Sequence, residues 1–140
     1  MNNSIRTWLW PILVAATIFI ESGQGVVAGP DLPNFDKVAH FFVYGLLATL
    51  LLRTSTLREL GGRGVWIALA LTSLFGVSDE FHQSFTPGRS VDFLDWIADT
   101  SGAALALFCY ARWTFYRSTL EFTLGFPRAR EEAGAANINP

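Results

Sequence analysis

Apolar residues gather into four runs, residues 8–20, 38–52, 65–77 and 93–113, the last interrupted by Asp95 and Asp99. The segments between the runs are polar and rich in glycine and proline. The first three runs are unbroken for 13 to 15 residues and do not alternate, which is too long for ordinary strands and predicts helices. Roughly 20 apolar residues span a hydrocarbon core of about 30 Å, so any one run would also suit a buried helix of a soluble protein. Taken together they do not. The polar residues fall between the runs and not along one face of each, which would leave a water-soluble chain with little to cover its surface. The pattern therefore predicts an all-α integral membrane bundle of four short antiparallel transmembrane helices.

Turn residues divide the chain further. Gly23, Gly25, Gly29, Pro30 and Pro33 mark a loop that ends with Asn34 or Asp36 available to cap a helix starting near Phe35. Gly61, Gly62 and Gly64 close a basic segment before the third run, and Thr86-Pro87-Gly88 is a turn signal before the fourth. Three regions follow: residues 1–34, a first transmembrane helix and outer loop; residues 35–113, a three-helix core; and residues 114–140, a cytoplasmic tail expected to be largely disordered. Within that tail Leu120, Phe122, Leu124 and Phe126 alternate, the pattern of an interfacial segment. The N-terminus imitates a secretory signal, with Arg6 before an apolar run and small residues at Val26-Val27-Ala28. Glu21 and Gln24 near that site, and Trp8 and Trp10 as interfacial anchors, favour a retained helix.

Composition and charge sharpen this picture. Of the 140 residues 51% are hydrophobic and 16% charged, and the mean hydropathy is +0.32, unusual for a soluble domain. Basic residues in short loops stay in the cytoplasm. With the N-terminus inside, Arg6, Arg53, Arg58, Arg63, Arg112, Arg117, Arg128 and Arg130 lie on the inner side, eight of the ten basic residues. Only Lys37 and Arg89 lie outside, which predicts a multi-pass plasma (inner) membrane protein with both termini cytoplasmic. The acids run the other way. Glu21, Asp31, Asp36, Asp79, Glu80, Asp92, Asp95 and Asp99 sit at or beyond the outer helix ends. A net charge of -2 and scattered basic residues exclude a nucleic-acid partner. The lone Cys109 reads as a small hydrophobe.

The chemistry gathers at that outer end. Asp36, His40 and Tyr44 recur at spacings of four on one stripe of the second helix. Glu80 and Gln83 share a face with Thr72 and Gly76 on the third, Asp79 and His82 share another, and Asp92, Asp95, Asp99 and Gly102 form a stripe on the fourth. Three stacked carboxylates require protonation or neutralising cations, and Arg89, His40 and Lys37 are the candidates. Gly102 and Ala106 would let another helix approach closely. Caps, helix dipoles and solvated ends account for Asp92 and Asp95 one at a time but not for Asp99, which lies too deep. Ionisable residues within membrane helices mark functional sites. The candidate site is thus Asp36, Lys37, His40, Tyr44, Glu80, Gln83, Arg89, Asp95 and Asp99.

Over residues 35–106 the sequence resembles the VanZ-like family of small bacterial membrane proteins. Its Asp-Lys-x-x-His pattern followed by Tyr matches Asp36, Lys37, His40 and Tyr44. Its Glu-x-x-Gln and Pro-Gly-Arg elements match Glu80, Gln83, Pro87, Gly88 and Arg89, and its last element matches Asp95, Asp99 and Gly102, where many relatives carry Asn in place of Asp99. The resemblance implies a multi-helix membrane fold and, for the founding member, low-level resistance to the glycopeptide teicoplanin. It implies no reaction.

Two functions compete. In the first, the cluster binds or modifies a cell-envelope lipid headgroup or precursor, with Arg89 holding a phosphate or carboxylate and Lys37 assisting. His40 with Glu80 or Asp95 would supply acid and base in an enzymatic version. In the second, the cluster only holds helices together and the protein is a non-catalytic partner of another membrane protein. Convergent side chains around an accessible cavity favour the first, and fully paired side chains with no cavity favour the second. A metal site from His40, Asp95 and Asp99 lacks zinc-like spacing, and neither a cofactor nor a metal is expected. Ion transport is disfavoured, since no ionisable residue continues the stripe into the inner half.

Overall fold

The computed structural model describes residues 3–24 and 35–123. The described residues are helical and contain no strand: α1 (Asn3–Ser22), α2 (Phe35–Leu52), α3 (Ser55–Glu59), α4 (Gly62–Gln83), α5 (Phe93–Arg112) and α6 (Thr114–Thr123). The small-residue site at Val26-Val27-Ala28, the loop through Asp31 and Asn34, and the tail beyond Thr123 lie outside the described residues. The four long helices coincide with the four apolar runs, α1 and α4 extending beyond theirs at both ends and α2 at its start. α4 continues through Glu80 to Gln83, carrying the carboxylate inside the helix as its short apolar run requires.

The chain forms two compact units, one through Phe108 and one from Cys109. In the first, α2 packs against α1 and α4, and α1 also meets α4. Ile18, Tyr44 and Leu47 form its buried apolar centre, with Val14, Ala15, Val43, Leu51 and Phe75 against them. Residues 53–64, whose glycines and basic residues predict a short inner loop, are partly helical. They hold α3, capped by the Thr54 hydroxyl, which accepts from the Leu57 N–H at 3.4 Å. Arg53 and Thr54 are buried there, so Arg53 is no loose loop cation. In the second unit the Trp113 N–H donates to the Cys109 carbonyl at 2.7 Å, and α6 follows. Residues 114–123, the first part of the expected tail, are therefore helical.

Burial runs opposite to that of a soluble domain. Trp66, Phe42, Phe81 and Phe85 are between 65% and 72% exposed, while Asp79, Glu80, Gln83, Asp95 and Asp99 are at most 5% exposed. Charged residues are almost never fully buried in water-soluble folds unless paired, and soluble monomers rarely expose large contiguous apolar surface. Among the described residues two helices, α2 and α4, are long and apolar enough to cross a membrane. The apolar run of α5 is interrupted by Asp95 and Asp99.

One close crossing positions the site. A Cβ built on Gly102 of α5 would overlap the Phe41 carbonyl oxygen of α2, so only glycine permits the two backbones to meet there. One turn outward along α5 lies Asp99, and one residue inward along α2 from His40 is Phe41. Gly102→Val should therefore spread α2 and α5 and destabilise the protein by about 1–3 kcal/mol or more, the range for overpacked cores. Ala104→Val, at an exposed position of the same helix, should be nearly neutral. Thermal unfolding in detergent checks both.

Candidate functional site

α1 and α4 end, and α2 and α5 begin, at the same end of the first unit, and all nine predicted site residues collect there. Lys37, one residue into the α2 stripe, is the hub of the side facing α5. Its Nζ donates to Asp92 Oδ2 at 2.7 Å, Asp95 Oδ1 at 2.9 Å and Asp36 Oδ2 at 3.4 Å. A single ammonium thus offsets the repulsion between Asp92 and Asp95, two of the three stacked acids. Lys37 is engaged with three carboxylates at once. The Lys37 ammonium, and after it the Leu94 N–H, hold the Asp92 carboxyl below the usual carboxylate range.

Deeper, His40 Nδ1 lies 2.9 Å from Asp99 Oδ1, and Asp99 is wholly buried. The contact is within hydrogen-bond distance, and its direction follows the His40 tautomer and the protonation of Asp99 together. The pairing is with Asp99, not with the Glu80 or Asp95 considered as acid–base partners of His40: Asp95 is taken by Lys37 and Glu80 turns to the backbone. Glu80 Oε2 accepts the Asp92 N–H at 2.7 Å, directly before α5 begins, so it satisfies a backbone donor at that helix start. The Tyr44 ring lies parallel to His40 with centroids 5.8 Å apart.

The side facing α1 is built differently. Gln83 Nε2 donates to Asp79 Oδ2 at 3.1 Å, and Arg89 Nη1 donates to Gln83 Oε1 at 3.3 Å. Arg89 is presented by a type II turn in which Pro87 and Gly88 are the central residues, Gly88 has φ of 84° and the Arg89 N–H donates to the Thr86 carbonyl at 3.1 Å. These residues border a cleft of about 220 Å³, lined by Thr17, Ile18, Glu21 and Ser22 of α1, Asp36, Ala39, His40, Val43 and Tyr44 of α2, and Asp79, Gln83 and Arg89. Four buried oxygens at this end have no hydrogen-bond partner among the described residues: Tyr44 Oη, Asp79 Oδ1, Glu80 Oε1 and Asp99 Oδ2. Tyr44 and Asp79 line the cleft. Their side chains face each other in geometry that falls short of a hydrogen bond.

Asp79, Glu21, Ser22 and Thr17 were not among the predicted site residues. Asp79 stands four residues before Gln83, the spacing that puts two side chains on one helical face, and that signal was available. It had been grouped instead with His82, which stacks on Phe19 of α1 with centroids 4.0 Å apart. The α1 residues have no such local signal, because the helix partner of α1 cannot be read from its own pattern. Among the described residues no group of three His, Cys, Asp or Glu side chains is arranged to hold a metal ion.

A membrane-type helical unit with an ion-pair network at one end and a partly polar cleft beside it defines the class. The profile of the VanZ/LLP1 family matches residues 2–116, so the chain belongs to that family. An uncharacterised protein of the yeast Schizosaccharomyces pombe is 32% identical over 108 residues, which cover 76% of this chain and 65% of that protein. The chain thus matches slightly less than two thirds of its relative's length. No solved structure matches it. Family membership together with α2 and α4 makes this a transmembrane protein.

The network gives a stability test. Lys37→Met leaves the buried Asp95 without its cation and should destabilise the protein measurably, with the two half-exposed partners Asp36 and Asp92 adding little. Asp92→Asn, at the exposed rim, should cost much less. Because the folded-state pKa of Asp92 is depressed, its contribution is present above the ordinary carboxylate range and is lost as pH falls through the depressed value. The Tm in detergent should drop as pH is lowered through that acid window, and Asp92→Asn should flatten that drop.

Proposed function

We propose that the protein holds the polar headgroup of a membrane amphiphile, a cell-envelope lipid or lipid precursor, in the cleft between α1, α2 and α4. The carrying observation is the division of the polar cluster. On the α5 side, Lys37, Asp92, Asp95, His40 and Asp99 engage one another, which is the arrangement expected of groups that hold helices together. On the α1 side, Tyr44 and Asp79 border an accessible cleft with buried oxygens that lack partners, next to Arg89. An unmade hydrogen bond on a buried polar group costs about 1–3 kcal/mol, and a bound polar group would recover it. The interaction-partner reading accounts for the ion pairs and leaves the accessible cleft beside Asp79, Tyr44 and Arg89 without a reason.

The same proposal takes α1, α2, α4 and α5 as four crossings of the plasma (inner) membrane, with both termini cytoplasmic and the cleft extracytoplasmic. The support is the asymmetry of arginine in the short connections and the outward display of aromatic side chains. With Cys109 replaced by Ser, a cysteine at Ser90 should label from outside intact cells and one at Arg58 only after the membrane is opened. Labelling of the Arg58 position from outside would overturn the orientation.

Function is tested in cells from which the gene has been removed. Arg89→Ala and Asp79→Asn should keep membrane abundance near wild type while failing to restore wild-type sensitivity to cell-envelope antibiotics. Lys37→Met should lose abundance. If the cleft variants disappear from the membrane as Lys37→Met does, the whole cluster is structural and the partner reading replaces this one.

A further inference from the structure

We infer that the headgroup is zwitterionic, with an ammonium on the Asp79 side of the cleft and a phosphate on Arg89, and that an acyl chain lies along the seam of α1 with α2 and α4. This rests on the headgroup reading above and goes beyond it by assigning the charge pattern of the ligand.

The charges of the cleft carry the argument. Lys37 is spent on the α5 carboxylates, so Arg89 is the permanent cation among the described residues lining the cleft. Against it stand Glu21 and Asp79, with Asp36 beside them already paired with Lys37 at 3.4 Å. A purely anionic headgroup would meet one guanidinium and two carboxylates that Lys37 does not reach, a poor match for a site selecting negative charge. Asp79 is only 2% exposed, Oδ2 accepts from Gln83 and Oδ1 has no partner. An ammonium, which donates three hydrogen bonds, complements that oxygen and the neighbouring Tyr44 Oη. Gln83 bridges Asp79 and Arg89 with its own amide, so the negative and positive groups of the site stand one side-chain amide apart. An aminoethyl phosphate carries its two charges at a similarly short separation, one two-carbon link apart.

The seam supplies the place for a tail. A second hollow of about 220 Å³ is lined by Trp8, Ile12, Ala15, Leu47, Leu51 and Phe75, with no ionisable residue among its lining. On α2 the apolar positions Val43, Leu47 and Leu51 follow one another at spacings of four, and the first lines the cleft while the others line the hollow. From Glu21 to Trp8 the α1 helix runs about 20 Å at about 1.5 Å per residue, more than the roughly 15 Å half-thickness of a hydrocarbon core. Cleft and hollow together therefore fit a lipid of one leaflet, headgroup at the polar end and one chain within the hydrocarbon.

The test uses the full-length protein in detergent, with retention of added dioleoyl lipids measured by native mass spectrometry. Phosphatidylethanolamine is compared with phosphatidylglycerol and with N-acetyl phosphatidylethanolamine, which keeps the phosphate and loses the positive charge. The wild type should retain phosphatidylethanolamine over both by about tenfold or more, the effect of one charge-assisted hydrogen bond. Asp79→Asn should bring those ratios toward one, and Arg89→Ala should weaken retention of all three. Glu21→Gln with Asp36→Asn, at more exposed positions, should lower the ratios and provides the same reading if Asp79→Asn does not fold. Equal retention of phosphatidylethanolamine and phosphatidylglycerol by the wild type overturns the zwitterion assignment and leaves the headgroup reading standing. So do ratios unchanged in the acid variants. Retention of none of the three overturns both.

Discussion

A charge inside a helix that faces hydrocarbon must find its partner within the bundle, and at this end of the molecule Lys37 is that partner for three acids. Its ammonium makes two short contacts to α5 residues on either side of the helix start, Asp92 and Asp95, and a longer one to its neighbour Asp36. The carboxylates could not be stacked within two turns without it. Everything nearer the centre depends on that docking: with α5 held against α2, Gly102 meets the Phe41 backbone, and Asp99 reaches His40. The electrostatic link and the steric fit are consecutive contacts of one helix pair, and neither is sufficient alone.

The cluster that looked single in sequence has two halves with different physics. Toward α5 the groups pair with one another, Lys37 with three carboxylates and His40 with Asp99, and the second oxygens of Glu80 and Asp99 are buried without a partner among the described residues. Toward α1 the buried oxygens of Tyr44 and Asp79 that border the cleft lack a hydrogen-bond partner among the described residues. His40 belongs to both, since Nδ1 is fixed by Asp99 while the ring lines the cleft. A ring tethered on one side to a buried carboxyl and facing a cleft with the other is how a protein presents a histidine reproducibly to whatever enters beside it.

Local patterns made much of this legible. The runs at residues 38–52 and 65–77 gave α2 and α4, and spacings of three and four brought Asp36, His40 and Tyr44, and then Asp92, Asp95 and Asp99, onto single faces. The small residue at Gly102 announced the close crossing. What stayed hidden depended on long-range partners. Nothing near Lys37 says that it will be consumed by Asp92 and Asp95, some 55 residues away. Thr17, Glu21 and Ser22 line the cleft only because α1 lies beside α2. The burial of Arg53 and the short α3 were masked by a glycine-rich, basic segment whose composition is that of a loop.

The connection from α4 to α5 is closed at its base by the bond from the Asp92 N–H to Glu80, and its tip is shaped by the turn at Pro87-Gly88. Arg89 sits between these two restraints, tied back to Gln83 on α4. One residue added to or removed from residues 84–91 would have to unmake the Glu80 bond or swing the guanidinium away from Gln83. The exposed side chains of Phe85, Ser90 and Val91 are free of that restraint. In the descent of such chains it is the length of this loop, more than the identity of its outward residues, that natural selection has to preserve.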